Sequence, residues 1–268
     1  MTRVMSALVT ACHVSPGPVH LGLDDVHVWQ ASLHVPGAAW QSLWCLLGAD
    51  EQLRAGRFRA DRDRRRFVAA HGIVRMVLSR YCEVAPAELR FEYGSCGKPG
   101  LVEAGIHFNI SHADELLLCA VARQRQVGVD VERVRPGFAC EQVARQIFSA
   151  REREIWEALS ETDRPAAFFR AWVRKEAYVK ATGMGLSFPV RDCEALLTPD
   201  QCSDGNWEWQ MLNPAPGYVG ALVIGVGRGQ SQPIEPASEG SDIQENLGDH
   251  FCTPLLSSHD GPGSLNPL

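Results

Sequence analysis

The sequence predicts an α+β protein with small, mostly antiparallel sheets packed on helices. Short runs that suit strands are mixed with helical runs, without the regular strand–helix alternation of a parallel sheet. Two long helical patterns stand out, one amphipathic and one with signals at both ends. A content of 45% hydrophobic and 22% charged residues over 268 positions supplies enough apolar surface for a core.

The elements follow in order. Residues 13 to 24 hold Pro16, Gly17, Pro18 and Gly22 and read as loop. Val26 to Val35 alternates apolar and polar residues, as a half-buried strand does. Asp50 to Leu53 opens a helical stretch. Arg64 to Tyr81 is an amphipathic helix with Phe67, Val68, Ile73, Val74, Val77 and Leu78 on its apolar side. Leu89 to Tyr93 reads as a strand, and Gly94 to Gly100 as a turn-rich loop. Ile106 to Ile110 and Leu116 to Ala122 read as strands around a tight turn at Ser111 to Asp114. Val127 to Val131 is a further strand, and helices follow at Glu141 to Phe148 and Ala150 to Leu159. The clearest helix runs from about Pro165 to Thr182. Asp163 suits its cap, Pro165 its first turn and Gly183 the position past its end. Glu208 to Leu212 and Val219 to Val226 complete the strands.

Charge is unevenly spread. The net charge is -6, yet no Lys or Arg follows Arg228, and that tail holds six acidic residues. The preceding part is therefore formally neutral. From Gln230 onward Ser, Pro, Gly and acidic residues dominate, a composition that reads as disordered. Nine Arg against three acidic residues fall between Glu51 and Arg80. Such a block suits a polyanion, or is simply a solvated helix face. Nine Cys without a CxxC pair argue against a disulfide framework and a Cys-based zinc site, so a reducing cytoplasm is expected. Arg3 precedes the apolar Val4 to Ala11, and Val9 to Cys12 is similar to a lipoprotein cleavage site. The stretch is short and interrupted by Ser6 and Thr10, which favours a loose N-terminal extension over a leader. No apolar run approaches the length of a membrane span, so no membrane association is expected.

Four clusters carry chemistry. In Gly128-Val129-Asp130-Val131-Glu132, strand alternation sends Asp130 and Glu132 to one face and the valines to the other. Two carboxylates on one face suit a hard cation, although an exposed strand edge has the same pattern. In Trp172 to Lys180, helical spacing places Trp172, Glu176 and Lys180 on one side. The pair is either a surface salt bridge, or a third carboxylate for a metal with an ammonium nearby for phosphate. Lys98-Pro99 and the strand ending in Ser111-His112 offer charge and a donor to a phosphate. A Ser-His hydrolase fails, because adjacent strand residues face opposite sides and no GxSxG is present. Ser149 with Glu152 reads as a capping box, and a catalytic Glu152 is the less favoured reading on local grounds.

Together and in this order the blocks resemble the Sfp-type 4'-phosphopantetheinyl transferases, W/KEA subgroup. The carrying residues are Lys98-Pro99, Asn109 to His112, Gly128 to Glu132, Phe148-Ser149 with Glu152, and Trp172-x-x-Lys175-Glu176-Ala177-x-x-Lys180-x-x-Gly183. The resemblance covers about residues 25 to 228. It implies two similar α+β halves related by a pseudo-twofold, with the site in the cleft between them. The expected division is a loose extension at 1–24, a first half at 25–126, a second half with the metal site at 127–228, and the acidic tail at 229–268.

The resemblance also implies a reaction. The phosphopantetheine arm of coenzyme A passes to a serine of an apo acyl or peptidyl carrier protein, with magnesium as the metal. Asp130, Glu132 and Glu176 are the implied metal ligands. Glu176 is also the implied base, with Glu152 as second candidate, and the two roles of Glu176 are in tension because a metal-bound carboxylate is a weaker base. Lys175 and Lys180 would stabilise phosphate charge. Arg54, Arg66, Lys98, Ser111 and His112 would hold coenzyme A. Phe67 stands where the family often has a small hydroxyl residue. A monomer is expected, since a two-half chain builds its own site. The competing expectations are a non-catalytic module binding carrier protein or coenzyme A, and a nucleic-acid binder using the Arg block. The neutral core and the lack of a reader motif disfavour the second, so no nucleic acid is expected.

Overall fold

The computed structural model describes residues 2–9, 17–102, 105–185, 190–197, 199–203 and 205–227. The acidic tail lies outside these, as do most of the basic-to-apolar leader pattern's last residues. Among the described residues there are ten strands and six α-helices.

Strands β1 (Arg3–Val9) and β2 (Asp25–Ser32) are followed by helices α1 (Gly37–Trp44), α2 (Ala49–Arg57) and α3 (Asp61–Cys82). Strands β3 (Phe91–Tyr93) and β4 (Pro99–Leu101) form a small hairpin of their own. Then come β5 (Ile106–Ala113), β6 (Leu116–Arg123) and β7 (Val127–Arg133). Helices α4 (Glu141–Ile147), α5 (Ala150–Glu157) and α6 (Arg164–Thr182) follow, and β8 (Gln201–Ser203), β9 (Trp207–Leu212) and β10 (Tyr218–Gly225) end the described chain. One four-stranded sheet has the order β1-β2-β6-β5, the other β7-β10-β9-β8. Every pairing is antiparallel except β1 with β2.

Strand alternation sorts the core into three layers. Phe108 and Ile110 of β5 and Cys119 and Val121 of β6 pack with Val68, Ile73 and Val77 of α3. On the far side of the same sheet, Val26, Val28, Leu118 and Ala120 meet Val127, Val129, Val131 and Leu222 of the second sheet. The second sheet's outer face, with Val219, Ala221 and Val223, packs on Phe168, Phe169, Trp172 and Val173 of α6. The order is thus helix, sheet, sheet, helix. Asp130 and Glu132 alternate with the valines of the middle layer and so face α6.

Some expectations need correction. The N-terminal segment expected to be loose contains β1, which pairs in parallel along seven residues of β2. Val9 is buried, and Arg3 pairs with Asp25 at 3.0 Å. The apolar run is an edge strand, with Ala7 and Val9 packing toward α3 and Val4 toward the layer between the sheets. The turn expected at Ser111 to Asp114 lies later. Strand β5 runs to Ala113, and the reversal uses Asp114, at φ 48°, with Glu115. Ser111 and His112 therefore stand inside a strand. Helix α6 ends as expected on Gly183 at φ 71°, whose N–H reaches Val179 O. Asp163 makes no side-chain cap to the helix and instead accepts from Ser160 Oγ.

Candidate active site

Two elements set the site. Helix α6 lies so close to β7 that a Cβ on Gly128 would stand 2.0 Å from Ala177 O and 2.4 Å from Ala181 N. Only glycine permits that approach, and Ala177 and Ala181 give the helix a flat face to meet it. Glu176 and Lys180, each one position before those alanines, are thereby brought over Asp130 and Glu132. Lys180 Nζ donates to Asp130 Oδ1 at 2.6 Å and to Ser111 Oγ at 3.2 Å. Ser111 Oγ donates to the same Asp130 oxygen at 2.7 Å. Asp130 Oδ2 is buried and has no partner. Trp172 donates to Glu132 from the same helix face.

The electrostatics follow from burial. Loss of water raises the pKa of Glu132, and Asp130 beside it raises it further. Glu176 is also raised, first by burial, with Lys180 opposing and Asp130 adding. Three carboxylates held in a dry site against only one ammonium are short of positive charge. His112 is pushed down to about 4, first by burial and then by the positive charges of Lys180 and Arg66. It is therefore neutral at pH 7, within a field that attracts anions. Arg66 is presented from α3 and held by Glu115, at 2.9 Å from Nε and 2.5 Å from Nη2. Arg54, on α2, stacks its guanidinium over Phe67 at 5.2 Å.

The expected residues do not all meet here. Lys175 and Glu152 form an ion pair with no exposed side-chain surface, 2.8 Å apart. The Lys175 ammonium also donates to Val190 O and to Cys193 O. Glu152 accepts from Leu196 N and, in the expected capping box, from Ser149 N. All three protons of the ammonium are used and neither group faces solvent, so the phosphate and base roles expected of them give way to tying α5, α6 and the 190–196 segment together. Lys98 reaches Gln126 Oε1, Val127 O and Ala181 O at 3.0, 3.2 and 3.0 Å, spanning the start of β7 and the end of α6. Sequence reasoning gave no role to Glu115, which pairs with Arg66, or to Asn109, which accepts from Val129 N at 2.8 Å. Asn109 shares strand parity with Ser111, and that was the available signal. Five of the nine Arg in the block are in ion pairs: Arg62 with Asp63, Arg64 and Arg65 with Asp61, Arg66 with Glu115, and Arg75 buried against Glu51.

A sequence profile described as "4'-phosphopantetheinyl transferase superfamily" matches residues 126–210, and one described as "4'-phosphopantetheinyl transferase, N-terminal" matches residues 28–124. The 4'-phosphopantetheinyl transferase HetI of Nostoc sp. is 42% identical over 219 residues, covering 78% of this chain and 92% of that protein. The chain belongs to the 4'-phosphopantetheinyl transferase superfamily. Other members share the likeness at greater distance. Sfp of Bacillus subtilis is 30% identical over 157 residues, 58% of this chain and 68% of its own. AcpT of Salmonella typhimurium is 36% identical over 147 residues, 53% and 74% of the two chains. This phosphopantetheinyl transferase has no helix among its described residues long and apolar enough to cross a membrane.

Proposed function

We infer that the protein transfers the 4'-phosphopantetheine arm of coenzyme A to a serine of an apo acyl or peptidyl carrier protein. The observation that carries this reading is the meeting of Asp130 and Glu132 on β7 with Glu176 and Lys180 on α6, beside Arg66 and His112. In the reaction the serine oxygen bonds to the phosphorus that bears pantetheine. The bond from that phosphorus to the bridging oxygen breaks, and adenosine 3',5'-bisphosphate leaves.

Magnesium fits the site. Asp130 Oδ2 is buried without a partner, and Lys180 offsets the raised Glu132 and Glu176 carboxyls only in part. Among the described residues no three His, Cys, Asp or Glu side chains form a ready cage. Mg²⁺ does not need such a cage, since it keeps waters and uses one or two carboxylates with substrate phosphates. Asp130 and Glu132 would hold it, with Glu176 at the border, and its charge would neutralise the pyrophosphate. Glu176, raised above the usual carboxylate range, is suited to take the serine proton. Lys180 stands at Asp130 to stabilise charge on the phosphates. A reducing compartment suits the seven described cysteines, all free.

The test mixes the protein with Mg²⁺, coenzyme A and an apo acyl carrier protein and weighs the carrier by intact mass spectrometry. A gain of one phosphopantetheine is expected, lost with EDTA and with Asp130→Ala. No gain with fatty-acid and peptide carriers, from folded protein that still binds coenzyme A, would favour a non-catalytic module.

Arg66 and His112 are proposed to take the 3'-phosphate of coenzyme A. Arg66→Ala is expected to raise KM for coenzyme A about tenfold or more with kcat little changed, the worth of one charge-assisted hydrogen bond. Glu115→Gln weakens the competing pair and is expected to lower KM severalfold. Steady-state kinetics in coenzyme A checks both, and an unchanged KM in Arg66→Ala removes Arg66 from the subsite.

A further inference from the structure

Strand β7 has two edges. In an antiparallel pair, successive residues send their backbone groups alternately toward and away from the partner. Residues 127, 129 and 131 face away from β10, toward β5. No backbone ladder joins β5 to β7, which belong to separate sheets. The first half's side chains do that work. Lys98 Nζ donates to Val127 O at 3.2 Å, Asn109 Oδ1 accepts from Val129 N at 2.8 Å, and Ser111 Oγ accepts from Val131 N at 3.4 Å. The three contacts fall at every second residue of β7. Asn109 and Ser111 are buried. Ser111 gives its own proton to Asp130 Oδ1, so the same seam that sets the strand also fixes which carboxylate oxygen stays open.

We propose that Asn109 is a positioning residue. With Lys98 and Ser111 it clips the outer edge of β7 to the first half and so fixes where Asp130 and Glu132 stand beneath α6. Asn109 touches neither carboxylate. It acts through the amide of Val129, next to Asp130. The catalytic part of the proposal rests on the transferase reading, whereas the clip itself does not.

The experiment reads both separately in the full-length protein. Asn109→Ala is expected to speed hydrogen–deuterium exchange in the peptide covering residues 127–133 at least tenfold, with exchange in α3 unchanged. It is also expected to lower kcat at least tenfold with KM for coenzyme A unchanged, since small displacements at a reacting centre are costly. Asn109→Asp keeps the acceptor and is expected to restore both. Should Asn109→Ala fail to fold, Lys98→Met opens the other end of the seam, with faster exchange expected in the peptide covering residues 127–133. Unchanged exchange in residues 127–133 would overturn the clip. Faster exchange with unchanged kcat would overturn the positioning role. A wild type without transfer would sink the enzyme reading, and the exchange result would still decide on the clip.

Discussion

Gly128→Ala is expected to cost at least a hundredfold in transfer rate and about 3 kcal/mol in stability. The added methyl meets backbone atoms, Ala177 O at 2.0 Å and Ala181 N at 2.4 Å, and neither can turn aside. Helix α6 and β7 must separate by about 1 Å or more to reach ordinary contact. Overpacking of this kind costs about 1–3 kcal/mol, and here lies at the upper end. A displacement of about 1 Å at a catalytic constellation is worth about a hundredfold in rate. Glu176 and Lys180 would move away from Asp130 and Glu132 together. Thermal melting should show a fall of about 10 °C. Gly56→Ala is the control, because nothing stands within 4 Å of its added Cβ and it lies within helix α2. A Gly128→Ala enzyme with wild-type kcat would refute the close approach.

Breaking the Lys175–Glu152 pair should be the other large effect, and it should fall on stability. Lys175→Met leaves a buried carboxylate without its cation and takes one of two donors from each of Val190 O and Cys193 O, which keep the Cys193 and Ala195 amides. Removing one partner of a fully buried pair costs about 3–5 kcal/mol. Glu152→Gln should cost a similar amount from the opposite side. The double variant should be less than additive, because each single change already strands the other group. Chemical denaturation of the three variants measures this directly. The same series separates structure from chemistry. If Lys175 met the phosphates, Lys175→Met would abolish transfer and leave the melting temperature in place.

The elements that were legible share a local cause. Helix α6 was readable from Pro165 near its start and Gly183 beyond its end. The parity of Asp130 and Glu132 followed from strand geometry alone. Strand β1 was not legible, because its parallel partner lies across a loop and no turn signal marks such a pairing. Helix α1 was missed for a different reason. It opens on Gly37-Ala38-Ala39 and has no side-chain cap, so nothing local announces it. At the site, the placing of Lys175 was the main misjudgement. It neighbours Glu176 in sequence, but one residue along a helix turns about 100°, so Lys175 points away from the Trp172, Glu176 and Lys180 face. That geometry was present in the sequence. The partners that bury it, at 190–196, were not.

The layer between the two sheets has a consequence for how the halves find each other. Val26, Val28 and Leu118 against Val129, Val131 and Leu222 form a greasy contact that tolerates sliding. Sliding by one residue would put Ile110 in place of Asn109 opposite the amide of Val129. Each mismatched amide would then be buried without an acceptor, at a cost of about 1–3 kcal/mol. The apolar layer supplies the affinity of one half for the other, and the Lys98, Asn109 and Ser111 contacts supply the discrimination. Docking in any other alignment keeps most of the first and forfeits the second, so the polar row selects one alignment of the halves.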